Sequence, residues 1–387
     1  MPKIARADVI GSLLRPPFLL EARREGREGR ASAGDVRAAE DRAIREAIAL
    51  QEDAGLDAIT DGEFRRFNFV ATVGVRNADD GCLSGFSTIE ASRNYMGLWK
   101  MPDGSSGGFG TLEKGAQSIV TEKIALKKDL VAEEFLFLKQ SAKKAREKFT
   151  FPAPSWHRLN WHPDFSRGAY PHVRDFLEDI TAITREVLRK LVAAGCDYVH
   201  LDAPNYSQWH IDPQIRAVFE SWGRDLDAEL IEDAEIDNAV FDGVAGMDKV
   251  TKGIHLCRGN APGGRWLADG GYGAIAERLF PRLSNYDVLL LEYDSPRAGD
   301  FAPIAHTPGQ TAVALGLVTT KDGRLEDANG LKARIAEAAR CLPLDRLALS
   351  PQCGFASGEY ATTMTHEQQA AKLRLVGQVA ADVWKGG

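Results

Sequence analysis

The sequence predicts an α/β protein, specifically a (β/α)8 TIM barrel with an elaborated insertion after its second strand. Short β-branched or apolar runs alternate with longer amphipathic runs along the chain, as in βα units on a parallel sheet. Eight such short runs are present, which is the number of strands in this barrel. We therefore expect residues 1–387 to form a single barrel domain.

The elements follow from these patterns. The eight predicted strands are residues 7–11, 56–63, 148–155, 196–202, 252–257, 286–292, 312–318 and 347–353. The clearest helical patterns, with apolar residues at spacings of three and four, are 35–54, 127–147, 173–195, 328–341 and 365–384. Gly55 and Gly195 separate a helix from the next strand, where a helix C-cap needs a positive φ.

Two stretches are too long for simple connections. Residues 76–125 are polar and glycine-rich, with "GSSGGFG" inside, and predict a hairpin or lid inserted in the barrel. Residues 203–251 begin with "PNYSQWHIDPQ" and predict a second loop over the same face.

Composition excludes several classes of function. With 44% apolar and 27% charged residues the chain can bury a large core, and its net charge of −7 argues against a nucleic-acid partner. No apolar run is long enough for a secretion signal or a membrane span, so we expect a cytoplasmic protein. Five cysteines are an odd and sparse set, typical of reduced thiols. We expect small-molecule partners, and the oligomeric state, including a homo-oligomer, stays open.

Polar residues concentrate where the predicted strands end. In such barrels the active site is built at the C-terminal ends of the strands. The candidates there are Ser12, Asp61, Glu63, Ser155, Trp156, His157, His200, Asp202, His255, Cys257, Glu292, Thr319, Thr320 and Cys353. Taken singly, each has an ordinary reading, because a histidine after an apolar run is commonly structural and a buried cysteine commonly packs as a small apolar residue.

Four of these residues together predict a metal site. His255 and Cys257 stand two positions apart on one strand and therefore face the same way. Glu292 and Cys353 end two other strands in the same layer. One imidazole, two thiolates and one carboxylate suit Zn²⁺ better than the oxygen-preferring Mg²⁺ or Ca²⁺. The spacing matches no compact zinc-finger pattern, so the prediction depends on the barrel.

Several motifs resemble those of the cobalamin-independent methionine synthases, whose catalytic barrel carries a His-x-Cys, Glu, Cys zinc site. They span residues 8–355 and look closest to the compact single-barrel branch of that family. The motifs are "DVIGSLLRP", "ITDGEFRR", "HLDAP", "GIHLCRGN", "LLLEYDSPRAGDF" and "SPQCGF".

The resemblance implies a cofactor and a set of roles. It implies Zn²⁺ held by His255, Cys257, Glu292 and Cys353. The substrate thiol would join the metal and ionise there, with Glu292 giving way to it. Glu63 and Asp202 match the acidic residues that hold the amino group of homocysteine, and the stretch from Ile10 to Ser12 matches the backbone that meets its carboxylate. Trp156 is a candidate wall of the donor pocket, with core packing an equal alternative.

Departures from the family leave the donor open. The long enzymes carry a histidine after strand seven, whereas "GLVTTKDG" here has none. The methyl donor could therefore be a folate, a methylcobalamin-type carrier or a small methyl compound.

Three functions follow. The first is zinc-dependent methyl transfer to homocysteine, giving methionine. The second is a thiol alkyltransferase of the epoxyalkane:coenzyme M transferase type, for which Arg15, Arg65 and Arg66 would hold the sulfonate. The third is a non-catalytic protein in which the zinc is structural.

Overall fold

The computed structural model describes residues 4–69, 82–90, 116–127, 130–261, 264–359 and 363–385. The β-strands are β1 (Ala58–Ile59), β2 (Phe86–Glu90), β3 (Ala116–Val120), β4 (Arg146–Glu147), β5 (Phe149–Pro152), β6 (Tyr198–Asp202), β7 (Thr251–Leu256), β8 (Asn260–Ala261), β9 (Arg265–Trp266), β10 (Val288–Glu292), β11 (Ala312–Val318) and β12 (Leu347–Pro351).

The α-helices are α1 (Pro17–Arg27), α2 (Ala33–Asp53), α3 (Leu130–Ser141), α4 (Val173–Ala193), α5 (Pro204–His210), α6 (Pro213–Ser221), α7 (Leu226–Ala239), α8 (Ala276–Leu279), α9 (Ala328–Ala338) and α10 (His366–Ala380). Short 3₁₀ segments lie at Pro154–Asn160, Met247–Lys249, Tyr272–Ala274, Phe280–Arg282, Pro296–Ala298, Ala302–His306 and Leu344–Arg346, and a π-helical turn follows at Ala381–Lys385. Within the described ranges, none of these helices is long and apolar enough to cross a membrane.

A six-stranded parallel sheet organises the fold, in the order β12-β11-β10-β7-β6-β5. In its centre Leu290 pairs with His255 on one side and with Ala314 on the other. The six predicted strands between residues 148 and 353 are confirmed as this sheet. Because all six run parallel, their C-terminal ends meet at one edge of the sheet.

Both faces of the sheet are apolar, as expected of a parallel sheet covered on each side. Along β10, Leu289 and Leu291 belong to the large core that also contains apolar residues of helices α2, α4, α9 and α10. Val288 and Leu290 alternate with them and pack in a smaller cluster with Ile10 and with alanines of β11 and β12.

The first two predicted strands are mostly irregular, and the strands of the structure do not form a closed sheet. Residues 7–11 contribute one bridge, between Ala7 and Leu349, and residues 56–63 contribute only β1, which pairs with β4. Side chains have taken the place of a regular ladder. The Asp57 carboxylate accepts the backbone N–H of Ala7, and the Gln51 amide pairs with both backbone groups of Thr60.

Backbone hydrogen bonds nevertheless continue from β12 to β4 through these irregular segments. The N–H of Asp8 donates to the carbonyl of Leu349, and the N–H of Asp57 donates to the carbonyl of Ala7. The N–H of Arg146 then donates to the carbonyl of Asp57. The two segments are thus bonded to each other and to the strands on either side of them.

Other predicted bounds shift for local reasons. Helix α3 ends at Ser141, before the predicted residue 147, because the N–H groups of Lys143 and Lys144 donate to the carboxylate of Glu52. The third predicted strand ends at Pro152, and the 3₁₀ segment from Pro154 replaces its last residues.

The two long stretches differ from each other. Residues 203–251 contain α5, α6 and α7, so the prediction of a loop is wrong there. Proline at the first turn of α5 and α6, and aspartate caps on α6 and α7, are the helix-start signals that it missed. In 76–125, β2 and β3 pair antiparallel, and the remainder of the predicted hairpin or lid, 76–81 and 91–115, lies outside the described residues.

Candidate metal centre and pocket

The four predicted metal ligands converge at the C-terminal edge of the sheet. One ligand atom from each of His255, Cys257, Glu292 and Cys353 lies within 4.8 Å of the others. His255 is within β7 and Cys257 follows that strand, while Glu292 is the last residue of β10 and Cys353 stands two residues beyond β12. Sheet order therefore gathers residues that are almost 100 positions apart in the sequence.

Two of the distances between ligand atoms match those around a tetrahedral cation. The sulfurs of Cys257 and Cys353 are 3.5 Å apart, and Nε2 of His255 is 3.7 Å from Oε1 of Glu292. Bonds of 2.0–2.3 Å to a tetrahedral Zn²⁺ place neighbouring ligand atoms about 3.3–3.8 Å apart.

Two buried polar atoms in the cluster have no hydrogen-bond partner. Nδ1 of His255 lies 3.1 Å from the carbonyl of Leu290, which leaves Nε2 facing the cluster without a partner. Oε1 of Glu292 accepts the N–H of Arg258 at 2.9 Å, while Oε2 has no partner. Unpaired buried polar atoms are costly, and a cation bound between them would remove that cost. The donor set therefore fits a metal.

Contacts among the four residues of the cluster shift their pKa values. The hydrogen bond between Cys257 and Cys353 raises the pKa of the Cys257 thiol and lowers the pKa of the Cys353 thiol. Burial lowers the pKa of His255, but its interaction with Cys353 and the charges of Asp202 and Glu292 outweigh burial and bring it to about 9. Binding of a divalent cation requires the neutral imidazole and both thiolates, and is therefore coupled to proton release.

A pocket with a cavity volume of about 70 Å³ opens beside the two cysteines. The predicted substrate-binding residues Ile10, Ser12, Glu63, Trp156 and Asp202 all line it, together with Cys257 and Cys353. The two remaining predicted ligands, His255 and Glu292, are almost fully buried and are not among its lining residues.

Glu63 is held in an unusual conformation at the pocket wall. It has a positive φ of 59°, a conformation that costs energy in residues other than glycine and is common at functional sites. Oε1 accepts the hydroxyl of Thr150 at 2.7 Å and lies 3.6 Å from Arg66, whereas Oε2 is buried without a partner. Burial raises the pKa of Glu63 against the pull of Arg66, and the charge of Asp202 raises it further.

Asp202 supplies the second carboxylate of the pocket. Burial raises its pKa to about 6, although the charges of His255 and Lys148 act in the opposite direction. Its Oδ1 is 3.1 Å from Nε2 of His200, which supports the carboxylate from below the pocket floor. Two buried carboxylates therefore line one pocket, an arrangement whose chemistry suits a cationic group.

The structure adds lining residues that sequence reasoning missed. They include Phe69, Pro204, Gln208, Leu267, Gly354 and Ser357. Gln208 was missed because it belongs to α5, within the stretch predicted as a loop. Its signal in the sequence was the proline at the start of that helix.

The three arginines considered for a sulfonate bind elsewhere. Arg15 donates to four backbone carbonyls, including those of Glu63 and Ala356. Arg65 pairs with Asp41, and Arg66 donates to Glu134 and Thr150. Among the described residues that line the pocket there is no arginine.

Known proteins share this sequence and fold. YxjH of Bacillus subtilis, an uncharacterized protein, is 35% identical over 392 residues, which cover 98% of this chain and 95% of YxjH. The methionine synthase of Sulfurisphaera tokodaii is 29% identical over 210 residues, 53% of this chain and 55% of that protein. A crystal structure from Listeria monocytogenes, of a protein provisionally named a vitamin-B12 independent methionine synthase, is 27% identical with a TM-score of 0.71 over 99% of both chains. The chain is thus a relative of YxjH, and it is similar in sequence and fold to proteins named as cobalamin-independent methionine synthases.

This similarity confirms the resemblance that the motifs indicated, and the six-stranded parallel sheet with its helices agrees with the match to the Listeria structure. No protein-family model matches the sequence. Proteins named as methionine synthase or homocysteine methyltransferase thus share sequence with this chain, whose ligand cluster and pocket lie at one edge of the sheet. The cytoplasmic location and the homo-oligomer stay predictions.

Proposed function

We propose that this protein is a zinc-dependent methyltransferase that moves a methyl group to the thiol of homocysteine, giving methionine. The single observation that carries the proposal is the adjacency of the four-residue ligand cluster to a pocket with two buried carboxylates. The cluster would act on the sulfur of the acceptor and the carboxylates on its amino group.

The roles divide between cation and protein. Zn²⁺, held by His255, Cys257, Glu292 and Cys353, would lower the pKa of a coordinated thiol and supply a nucleophilic thiolate at neutral pH. The Leu290 carbonyl orients His255, and the N–H of Arg258 orients Glu292, as partners of metal ligands commonly do.

The pocket residues would orient the amino acid. Glu63 and Asp202 would bind its ammonium group, whose positive charge compensates two carboxylates that burial otherwise destabilises. The backbone from Ile10 to Ser12 would face its carboxylate. Trp156, which stacks on Trp209 with ring centroids 5.7 Å apart, would give the methyl donor a rigid apolar wall.

We also propose that the sheet closes into an eight-stranded TIM barrel, so that residues 1–387 form one domain. The hydrogen bonds from β12 through residues 7 and 57 to β4 support this closure, with two of the eight strands reduced to short irregular segments. Closure brings Ser12 and Glu63 to the same end as the metal ligands.

The alternatives have less support. A sulfonated thiol acceptor needs a cation in the pocket, whereas the described lining offers two carboxylates and no arginine. A purely structural zinc would be enclosed by protein, whereas both cysteine ligands line an open pocket.

A thiol-consumption assay tests the proposal. Zinc-loaded protein is incubated with homocysteine and, in turn, a methylated folate, methylcobalamin, a small S-methyl compound and an epoxide, and methionine is quantified. We expect methionine with one of the methyl donors. Consumption of thiol by the epoxide alone would favour the alkyltransferase, and no consumption with any donor would contradict both enzymes.

Metal analysis tests the ligand set in parallel. We expect Cys257→Ser and Cys353→Ser to lose most of the zinc that the wild-type protein retains, and Cys341→Ser, at a cysteine outside the cluster, to retain it. Near-full zinc content in the first two variants would contradict the assignment.

A further inference from the structure

A buried lysine lies just after β11, near the segments that follow Cys257 and Cys353. Lys321 follows β11, is only 4% exposed, and donates from Nζ to the carbonyl of Gly259 at 3.2 Å and to Oδ1 of Asn260. Its hydrogen-bond acceptors are thus a backbone carbonyl and a side-chain amide, while the Asp294 carboxylate interacts with the ammonium through charge.

The contacts of Lys321 lead to the Cys257 sulfur and to the loop that follows Cys353. The N–H of Gly259 donates to Sγ of Cys257 at 3.2 Å. The amide of Asn260 donates across the pocket rim to the carbonyl of Gly354, the residue after Cys353, at 3.2 Å, and to the hydroxyl of Ser357 at 3.1 Å. One ammonium therefore fixes the turn that follows Cys257 and, through Asn260, the loop that follows Cys353.

The positive charge of Lys321 also acts on the ligand cluster. Two thiolates and a carboxylate carry three negative charges, of which a divalent cation neutralises two. The loaded cluster would thus keep one net negative charge in a buried setting. A buried ammonium nearby stabilises such a cluster, and the cluster in turn offsets the desolvation of the ammonium.

We propose that Lys321 is a positioning residue of the metal centre, which holds the two cysteine-bearing loops together and thereby sets the affinity for the cation. The inference rests on the metal centre proposed above. Of the polar residues that follow β11, Lys321 therefore acts on the metal centre. Thr319 bonds to Glu326 and to the Lys321 backbone, and Thr320 bonds to Gln352.

The test is the zinc affinity of metal-free protein, measured by competition with a chromophoric chelator at fixed pH. We expect Lys321→Met to weaken zinc binding about 10- to 100-fold, the range found when partners of metal ligands are removed. Lys321→Arg keeps the charge and donors and should lose less. Asn260→Ala should weaken binding as well, and the double variant should lose less than the sum of the two single losses, because both residues act partly through the contact between them.

The control is Lys139→Met, at an exposed lysine with the same type of backbone acceptor. The ammonium of Lys139 also donates to two backbone carbonyls, those of Ala194 and Gly195 at 2.9 and 3.1 Å, but far from the cluster in sequence and outside the pocket lining. It should leave zinc affinity unchanged. Co²⁺ substitution gives a second readout, since altered sulfur positions would change the thiolate charge-transfer bands in Lys321→Met and not in the control.

The outcomes separate this inference from the proposed function. If wild-type protein does not bind zinc, the metal centre and the inference both fall. If the wild type binds zinc and Cys353→Ser does not, while Lys321→Met and Asn260→Ala both match the wild type, the inference alone is wrong. A lowered melting temperature in Lys321→Met with unchanged zinc affinity would assign Lys321 to stability only.

Discussion

Replacing Glu63 with glutamine should affect binding and stability in opposite directions. Oε2 of Glu63 is buried without a partner, and burial raises the pKa of this carboxyl. A raised folded pKa means that the ionised carboxylate costs stability at all pH values above the unfolded value. Glu63→Gln removes that charge while keeping the size and the oxygen that accepts the Thr150 hydroxyl. The melting temperature of the free enzyme should therefore stay the same or rise.

Substrate affinity should fall in the same variant. A hydrogen bond between charged groups contributes about 1.5–3 kcal/mol, which corresponds to a rise in KM for homocysteine of about 10- to 150-fold. Such a pairing of higher stability with weaker function is expected where a protein keeps a strained, charged group for its substrate. Steady-state kinetics with homocysteine and thermal unfolding of the free enzyme measure the two effects.

Glu134→Gln is the matched control. Glu134 is also buried, burial raises its pKa to about 7, and it accepts Nε of Arg66 at 3.0 Å, but it is not among the residues that line the pocket. It should change stability more than KM. A Glu63→Gln enzyme with a lower melting temperature and an unchanged KM would refute the reasoning and assign Glu63 to a structural pairing with Arg66.

Three further predictions concern pH, packing and metal removal. The KM for homocysteine should rise as pH falls below about 6, because the Asp202 carboxylate, with a pKa of about 6, must be ionised to bind an ammonium. In Asp202→Asn the KM should be high and independent of pH. Zinc analysis at each pH excludes metal loss as the cause. Gly354→Ala should lower kcat/KM, since the new methyl group would lie 2.1 Å from the Ser12 hydroxyl. Moving Ser12 away costs about 1–3 kcal/mol. Gly168→Ala, whose methyl group would have nothing within 4 Å, should behave as wild type. Chelation should abolish thiol consumption and Zn²⁺ should restore it; full activity of metal-free protein would rule out a catalytic metal.

Some features were determined by the sequence alone. The runs from residue 148 onward have the length and apolar continuity of buried parallel strands, and six of them form the sheet. The spacing of His255 and Cys257 requires that both side chains point to one side of a strand, since strand side chains alternate. The histidine and the two cysteines of the predicted ligand set then favoured a metal that binds nitrogen and sulfur.

The first two strands could not be predicted in the same way. Their residues are apolar enough to favour strands, but the Asp57 carboxylate and the Gln51 amide take their backbone hydrogen bonds. Nothing local in the sequence announces that competition, because the competing groups belong to other segments. The helices of 203–251 are a different case. Their prolines and aspartate caps are visible in the sequence and indicate helix starts, but the polar residues at the start of the stretch favoured a loop.

Only the tertiary structure decided the site. Cys257 and Cys353 are 96 positions apart, and the sheet order, which sequence does not display, brings their sulfurs to 3.5 Å. The strained backbone of Glu63 and the contacts of Lys321 likewise depend on which strand ends become neighbours. Sequence periodicity specifies which way a side chain faces within one strand, whereas distances between strands follow from the packing of the whole sheet. The residue types of the candidate site were therefore predictable, and its geometry was not.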